Sequence, residues 1–294
     1  MFSFCTDPAT LPQWQWFACY LTSGTHLAFY WSFVVVLILL ALTAPAALLL
    51  GFGGALALRS RAAPLRWFGW GYTSMVRGVP DIVFFLFVPI AVGQGIEFFM
   101  HQLRCPDWDQ PIWRGNDFIV CPAAKVPQAS APAWVHNIYG FALALLAFSL
   151  VFGAFAANTL RGAMDAVPKA QLDTAEAYGM TRWQAFRRIL LPQMWIYALP
   201  GLSNLWMILI KATPLLFLLG IQDIVYWARE LGGAKTSLYK YPHPDWRVWY
   251  FLAVLVFYLS LTWISGRVIE RLMTRLNIGQ ATVGGARQRG AAWA

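Results

Sequence analysis

Three ionisable side chains, Arg77, Asp81 and Lys211, sit inside otherwise apolar stretches of this 294-residue chain. A charge at the centre of a membrane-inserted helix costs roughly 2.5–3.5 kcal/mol, so each requires a partner or a water-filled path. Arg77 and Asp81 are four apart, separated by Gly78-Val79-Pro80. The proline lacks a backbone donor and frees carbonyls, which is tolerated at membrane depth only against protein or a cavity. One reading is an Arg77–Asp81 ion pair closed on itself; the other is a polar-lined substrate path that includes both. Lys211 follows Asn204 by two helical turns, on the same face, and Thr213-Pro214 follows it after Ala212. Snorkelling to an interface would rescue Lys211. On the path reading, Arg77 and Lys211 supply positive charge for a carboxylate and a polar cluster receives an ammonium group, with Asp81, Asn204 and Thr213 completing the candidate lining.

Other chemistries find no support. No Gly-x-x-x-x-Gly-Lys-[Ser/Thr] occurs, so no ATP site of the P-loop type is expected. His26, His101, His136 and His243 are scattered; no catalytic triad, paired carboxylates or metal-ligand spacing emerges, and neither a catalytic residue nor a metal is assigned. Cys5 and Cys19 show no metal-ligand spacing. Cys105 and Cys121 bracket one polar loop, and form a disulfide if that loop faces an oxidising compartment or two free thiols if it does not.

Composition sets the solvent. Hydrophobic residues make up 59% of the chain and charged ones 12%, against about 25% charged in soluble proteins. The chain is read as an all-α integral membrane protein. The excess of 22 Lys+Arg over 13 Asp+Glu is spread over span flanks, which fits membrane topology and lipid contact better than nucleic acid. The first 26 residues lack the basic start of a cleavable signal peptide.

Five spans are expected. Leu27 to Leu58 carries no charge and would extend about 48 Å as a helix, so it must tilt, kink at Pro45 or protrude. The second span runs from Trp67 to Ile96, broken at Arg77–Asp81. A polar, Pro-rich insertion covers about 97–133. Trp134 to Leu160 is the third span, Met194 to Ile221 the fourth and Val248 to Gly266 the fifth. Residues 1–277 form one transmembrane domain; 278–294 are expected to be a disordered tail. Basic residues cluster after the first span (Arg59, Arg61, Arg66), between the third and fourth (Arg161 to Arg188) and after the fifth (Arg267 to Arg289). The rule that basic flanks stay inside therefore gives N-out, C-in, with the cysteine loop outside.

Between the third and fourth spans, about 165–192, lies a wet connector. An Ala-rich helix containing Asp173, Ala175 and Ala177 ends at Gly179, a residue that tolerates the left-handed conformation. A second helix opens with Thr181-x-x-Gln184, a capping-box pattern. Trp183, Phe186 and Ile189 recur at helical spacing with Arg182, Arg187 and Arg188 off that line, and Pro192 is expected to stop the helix. Taken by itself, this is an amphipathic connector lying on the membrane surface.

The spacing resembles the cytoplasmic coupling loop of ABC importer permeases: Glu-Ala-Ala, three residues, Gly, nine residues, Ile-x-Leu-Pro. Asp173 stands for Glu and Thr174 for the first Ala; Gly179 and Ile189-Leu190-Leu191-Pro192 match. Arg77-Gly78-Val79-Pro80 resembles the Arg-Gly-Thr-Pro segment of the polar amino acid (His/Glu/Gln/Arg/opine) uptake family. The stretches from Leu160 to Gln171 and from Leu202 to Asp223 resemble two further segments of that family. Leu205 and Asn158 stand where many relatives have Glu, so recognition of cationic substrates is not carried over, and a sister permease is an alternative holder of the substrate. The resemblance implies a multi-pass permease of the bacterial inner membrane. It also implies an ATPase subunit dimer that holds ATP and Mg, a second permease, identical or homologous, and an external substrate-binding protein, with a polar amino acid as cargo. In this reading the loop from Asp173 to Leu191 docks on the ATPase. The alternative from the residues alone is a secondary transporter or channel that uses Arg77, Asp81 and Lys211 as an ion relay; a third is a non-transporting scaffold.

Overall fold

The structure, a computed structural model, describes Cys5 and residues 11–276; the expected tail lies outside the described residues. In chain order the helices are α1 (Gln13–Leu21), α2 (Gly24–Leu58), α3 (Ala63–Gly78), α4 (Asp81–Arg104), α5 (Ala133–Ala166), α6 (Lys169–Ala177), α7 (Arg182–Ala185), α8 (Leu191–Ala212), α9 (Ile224–Gly232) and α10 (Arg247–Leu276). Among the described residues, five helical segments are long and apolar enough to cross a bilayer: Gly24–Leu58, Asp81–Arg104, Ala133–Ala166, Arg182–Leu219 and Arg247–Leu276. Helices are what hydrocarbon permits, because every backbone donor and acceptor must be satisfied within the segment.

The bundle is organised on α2 and α5, which run parallel and touch backbone to backbone. A Cβ on Gly51 would fall 2.6 Å from the Ala156 Cβ, one on Gly54 2.8 Å from Ala157, and one on Gly153 2.9 Å from the Leu50 Cβ. Small residues permit this approach, which is how helices associate where lipid removes the hydrophobic drive between them. α2 stays continuous through Pro45, so its excess length is met by 35 unbroken helical residues. α3 returns antiparallel along α2, with Gly69 against Ala57 and Leu58 and the Tyr72 hydroxyl donating to the Leu150 carbonyl at 2.5 Å. α4 stacks Phe85 on Phe148 of α5 at 4.4 Å between ring centres. α8 lies against the far part of α5, where Gly201 meets Thr159, and α10 packs on α8 and α9.

Several boundaries differ from the sequence reading. Pro192 does not stop a helix. Residues Phe186–Leu190 form a π turn that runs straight into α8, placing Pro192 in the first turn of that helix. The wider turn absorbs the missing donor, and Arg182–Leu219 becomes one continuous helical segment. Glu97 to Arg104, expected in the insertion, extends α4. Arg161, expected to end the third span, is inside α5 and lies 3.7 Å from Asp165, which also pairs with Arg59.

The end of the bundle where α2, α5 and α10 begin carries the polar loops. Cys105 is bonded to Cys121 beside a short two-stranded hairpin, Trp113–Arg114 with Asp117–Phe118. Cys5 is bonded to Cys19 of α1, a pairing the sequence reading did not make. The histidines read as scattered are partly gathered here. Tyr20 bonds His243 at 3.0 Å and Tyr250 at 3.1 Å, and His26 bonds Tyr250 at 2.6 Å. This buried polar network ties α1, α2 and α10 to the 235–246 loop.

Glycine spacing makes a direct prediction. Gly51→Ala should destabilise the fold by about 1–3 kcal/mol through overpacking. Gly53→Ala, with nothing within 4 Å of its Cβ position, should be neutral or gain up to about 1 kcal/mol of helix propensity. Thermal midpoints in detergent, measured on both, check the contrast.

Candidate functional site

The stretch read as one broken second span, Trp67 to Ile96, is two helices, of which Asp81–Arg104 alone is long and apolar enough to cross a bilayer; the break between them falls where the sequence placed it. α3 ends at Gly78, Val79 is extended, and α4 begins at Asp81 after Pro80. Phe85 stacks on Phe148, near the middle of α5, so the break lies about halfway through the bundle. The chain thereby presents Arg77 in the last turn of α3 and Asp81 in the first turn of α4, each at the helix end whose dipole favours its charge. They form no ion pair with each other: the salt bridges among the described residues involve neither. The self-closed pair read as one alternative is therefore absent. Arg77 is exposed and Asp81 partly so, leaving both charges facing outward from this chain at mid-depth.

Lys211 reaches a similar level from the other direction. It lies ten residues beyond Gly201, which packs on Thr159. At 1.5 Å per residue that is about 15 Å further along the bundle, level with the Phe148 region. Lys211 is in the last turn of α8, where a cation is again favoured, and α8 changes there to a 3-10 segment, Thr213–Leu219, that packs against α4 and α5. Lys211 and Asn204 are both exposed. Thr213 behaves differently. It is 0% exposed, donates to the Ile210 carbonyl at 2.9 Å and meets the Tyr258 hydroxyl at 2.8 Å. Its side chain pins the helix-to-3-10 change to α10 and leaves no free polar edge. Two helix discontinuities at one depth, flanked by Arg77, Asp81 and Lys211, can bind a small zwitterion's charged groups or line a wet passage for it.

At the opposite end from the cysteine loops, α6, α7 and the turn between them form the bent pair expected from the spacing. Gly179 has φ +79°. Its N–H bonds the Glu176 carbonyl at 2.9 Å and the Met180 N–H bonds Ala175 at 3.0 Å, the two bonds of a Schellman cap. Thr181 and Gln184 form the capping box reciprocally, at 3.3 and 2.8 Å. Ala175 and Ala185 face inward, while Asp173, Ala177, Arg182, Arg187 and Arg188 are exposed, together with Tyr178 at 84% and Trp183 at 66%. The pair is anchored by its small side and presents aromatic and cationic groups outward.

Two features were missed by sequence reasoning. Asp223, the N-cap of α9, is 0% exposed; its Oδ1 accepts from the Tyr226 N–H at 2.9 Å while Oδ2 has no partner among the described residues. Burial pushes its pKa up to about 6, against the lowering pull of nearby backbone donors. An aspartate opening a helix is a legible cap signal; its complete burial is a tertiary fact. The second feature is a cluster of His101, Cys105 and Cys121, the one metal-type grouping found among the described residues. Its sulfurs are joined in the disulfide, and His101 Nδ1 accepts from the Cys121 N–H at 3.1 Å.

Residues 45–278 match the family described as binding-protein-dependent transport system inner membrane component. The chain belongs to that family and is an inner-membrane component. It is 34% identical to the histidine/lysine/arginine/ornithine transport system permease protein HisQ of Escherichia coli K12 over 210 residues, 71% of this chain and 75% of that protein. It is 40% identical to the arginine ABC transporter permease protein ArtQ of Haemophilus influenzae over 135 residues, 46% and 57% of the two. Octopine transport system permease protein OccQ of Rhizobium radiobacter is 28% identical over 229 residues, 78% and 81% of the two. A solved structure of an amino acid ABC transporter with histidines shares the fold, with TM-score 0.59 and 19% identity over 84% of this chain and 94% of that one.

Asp223 yields a pH prediction. Its folded pKa, about 6, lies above the model-compound value of 3.8, so the folded state holds a proton that the unfolded state has released. Stability therefore falls as pH rises from about 4 to about 6 and stays lowered above it. Asp223→Asn keeps a capping side chain and removes the buried charge. It should raise the thermal midpoint at pH 8, equivalent to about 2–3 kcal/mol, and change it little at pH 4. Equal effects at the two pH values would contradict the assignment.

Proposed function

We propose that this chain is the transmembrane permease of an ABC importer for polar amino acids, oriented N-out and C-in, and driven by a separate ATPase dimer through the α6–α7 pair. The observation that carries this reading is the capped, outward-facing pair itself. A rigid bend held by Gly179 and Thr181 presents Tyr178, Trp183, Arg182, Arg187 and Arg188 to a partner, while its continuity with α8 through the π turn leads toward Lys211. Displacement of the pair on nucleotide binding by the partner would pass along Arg182–Leu219 to the mid-depth discontinuities. Hydrolysis belongs to the ATPase, with its ATP and Mg; this chain supplies the path.

The path residues are Arg77, Asp81, Asn204 and Lys211, with Thr213 holding the 3-10 segment in place. Arg77 and Lys211 face a substrate carboxylate, Asp81 its ammonium group. The relatives named for histidine, lysine, arginine, ornithine and octopine transport support a polar amino acid as cargo. The exposed charges call for a covering surface, which a second permease, identical or homologous, provides. An external binding protein delivers substrate to the end that carries both disulfides.

Two experiments test this. Gly179→Trp would force a bulky residue into the left-handed region, a strain of roughly 1–2 kcal/mol, and distort the bend. Substrate-stimulated ATP hydrolysis of the assembled complex should fall at least tenfold with complex yield retained; unchanged stimulation contradicts the coupling role. Arg77→Met and Lys211→Met should each weaken uptake in reconstituted vesicles by roughly tenfold or more, the scale of one lost charge-assisted hydrogen bond. If neither alters uptake, the path assignment fails while the coupling role stands.

A further inference from the structure

A second site lies away from the path, at the α6 end of the bundle. Between the last turn of α2, the first turns of α3 and the far part of α5 opens a groove of about 680 Å³ lined by Leu58, Arg66, Trp67, Trp70, Gly71 and Arg161. Its two guanidinium groups are weakly committed. Arg66 has no ion-pair partner among the described residues, and Arg161 stands 3.7 Å from Asp165, an acid already paired with Arg59. Arg61 is exposed nearby in sequence, so the corner is strongly positive. The other wall is apolar and aromatic: Trp67 and Trp70 are each about two-thirds to three-quarters exposed, on a helix packed against α2 and α5.

The location fixes what this surface meets. The uncharged stretch of α2 ends at Leu58 and Arg59 follows, so the groove sits where hydrocarbon gives way to water. Tryptophan rings favour that boundary, and basic residues there attract anionic headgroups. We propose that the groove is a binding site for an anionic glycerophospholipid, its phosphate held between Arg66 and Arg161 and its glycerol and upper acyl chain lying along Leu58, Trp67 and Trp70. A free phosphate would use the guanidinium groups and leave the apolar wall unused. Gly71 also lines the groove, and the space around its Cβ position is open. An occupied site would brace the α2–α3–α5 corner from which α6 departs.

The test measures lipid retained by the complex purified with its co-purifying subunits, reconstituted with phosphatidylglycerol and phosphatidylcholine in equal amounts and examined by native mass spectrometry. The wild type should retain phosphatidylglycerol in clear preference. Arg66→Gln with Arg161→Gln should lower that retention about 25-fold, from about fivefold per basic residue at an anionic surface, while Arg267→Gln with Arg271→Gln, basic residues on α10, leaves it unchanged. Trp70→Ala should lower retention of phosphatidylglycerol with intact chains. Equal retention of the two lipids, or an unchanged preference in the Arg66/Arg161 variant, overturns the proposal. Displacement of the lipid by excess inorganic phosphate would overturn the lipid assignment in favour of a free-anion site. Efficient cross-linking of a Trp67→Cys variant to another protein chain would overturn it in favour of a protein interface.

Discussion

The close approach of α2 and α5 is the constraint on which the rest of the molecule depends. In lipid there is no hydrophobic drive between helices, so association rests on packing and hydrogen bonds. Gly51, Gly54 and Gly153 let two backbones meet over Ala156, Ala157 and Leu50, and α3, α4 and α8 are positioned from that seam. α3 uses its free side through Gly69 and Tyr72, α4 stacks Phe85 on Phe148, and α8 fits Gly201 over Thr159. α10, with Val254 as its only buried residue, is the least enclosed of the five, and leaves a broad apolar face to lipid or to another subunit.

That frame makes the break between α3 and α4 tolerable. A non-helical Val79–Pro80 joint would be unacceptable facing lipid. Here Val76, Phe84 and Phe85 are buried on either side of it in the same core as Phe148. The joint is supported by protein while Arg77 and Asp81 are turned outward. The end of α8 repeats the principle, with Thr213 and Tyr258 locking the 3-10 segment behind an exposed Lys211. Rigid halves joined at supported breaks are suited to transmitting a push from one end of the bundle to its middle.

What could be read from sequence was what depends on local chemistry and on the lipid environment. Span number, the break at Pro80, the Gly179 stop and the Thr181–Gln184 box all follow from residue type and spacing, because their causes act within a few residues. Pro192 was misread because a proline stops a helix only if the turn before it needs its donor, and the π turn at Phe186–Leu190 does not. The Tyr20–His26–His243–Tyr250 network was invisible because its hydrogen bonds join residues more than 200 positions apart. The Cys5–Cys19 bond was within reach: both cysteines precede the first span, on the side where the other pair was placed. Thr213 was read as a lining residue from its proximity to Lys211, but positions two apart on a helix face different ways, and here one is exposed while the other is sealed.

The central claim is that the α6–α7 pair is the surface through which an ATP-hydrolysing partner moves this bundle. Site-specific photo-cross-linking from position 183, in membranes that contain the working assembly, tests it most directly. The account predicts a product joining this chain to the ATPase, with a yield that changes when nucleotide is added. No product from position 183, together with an ATPase product from position 113 on the cysteine loop, would contradict it.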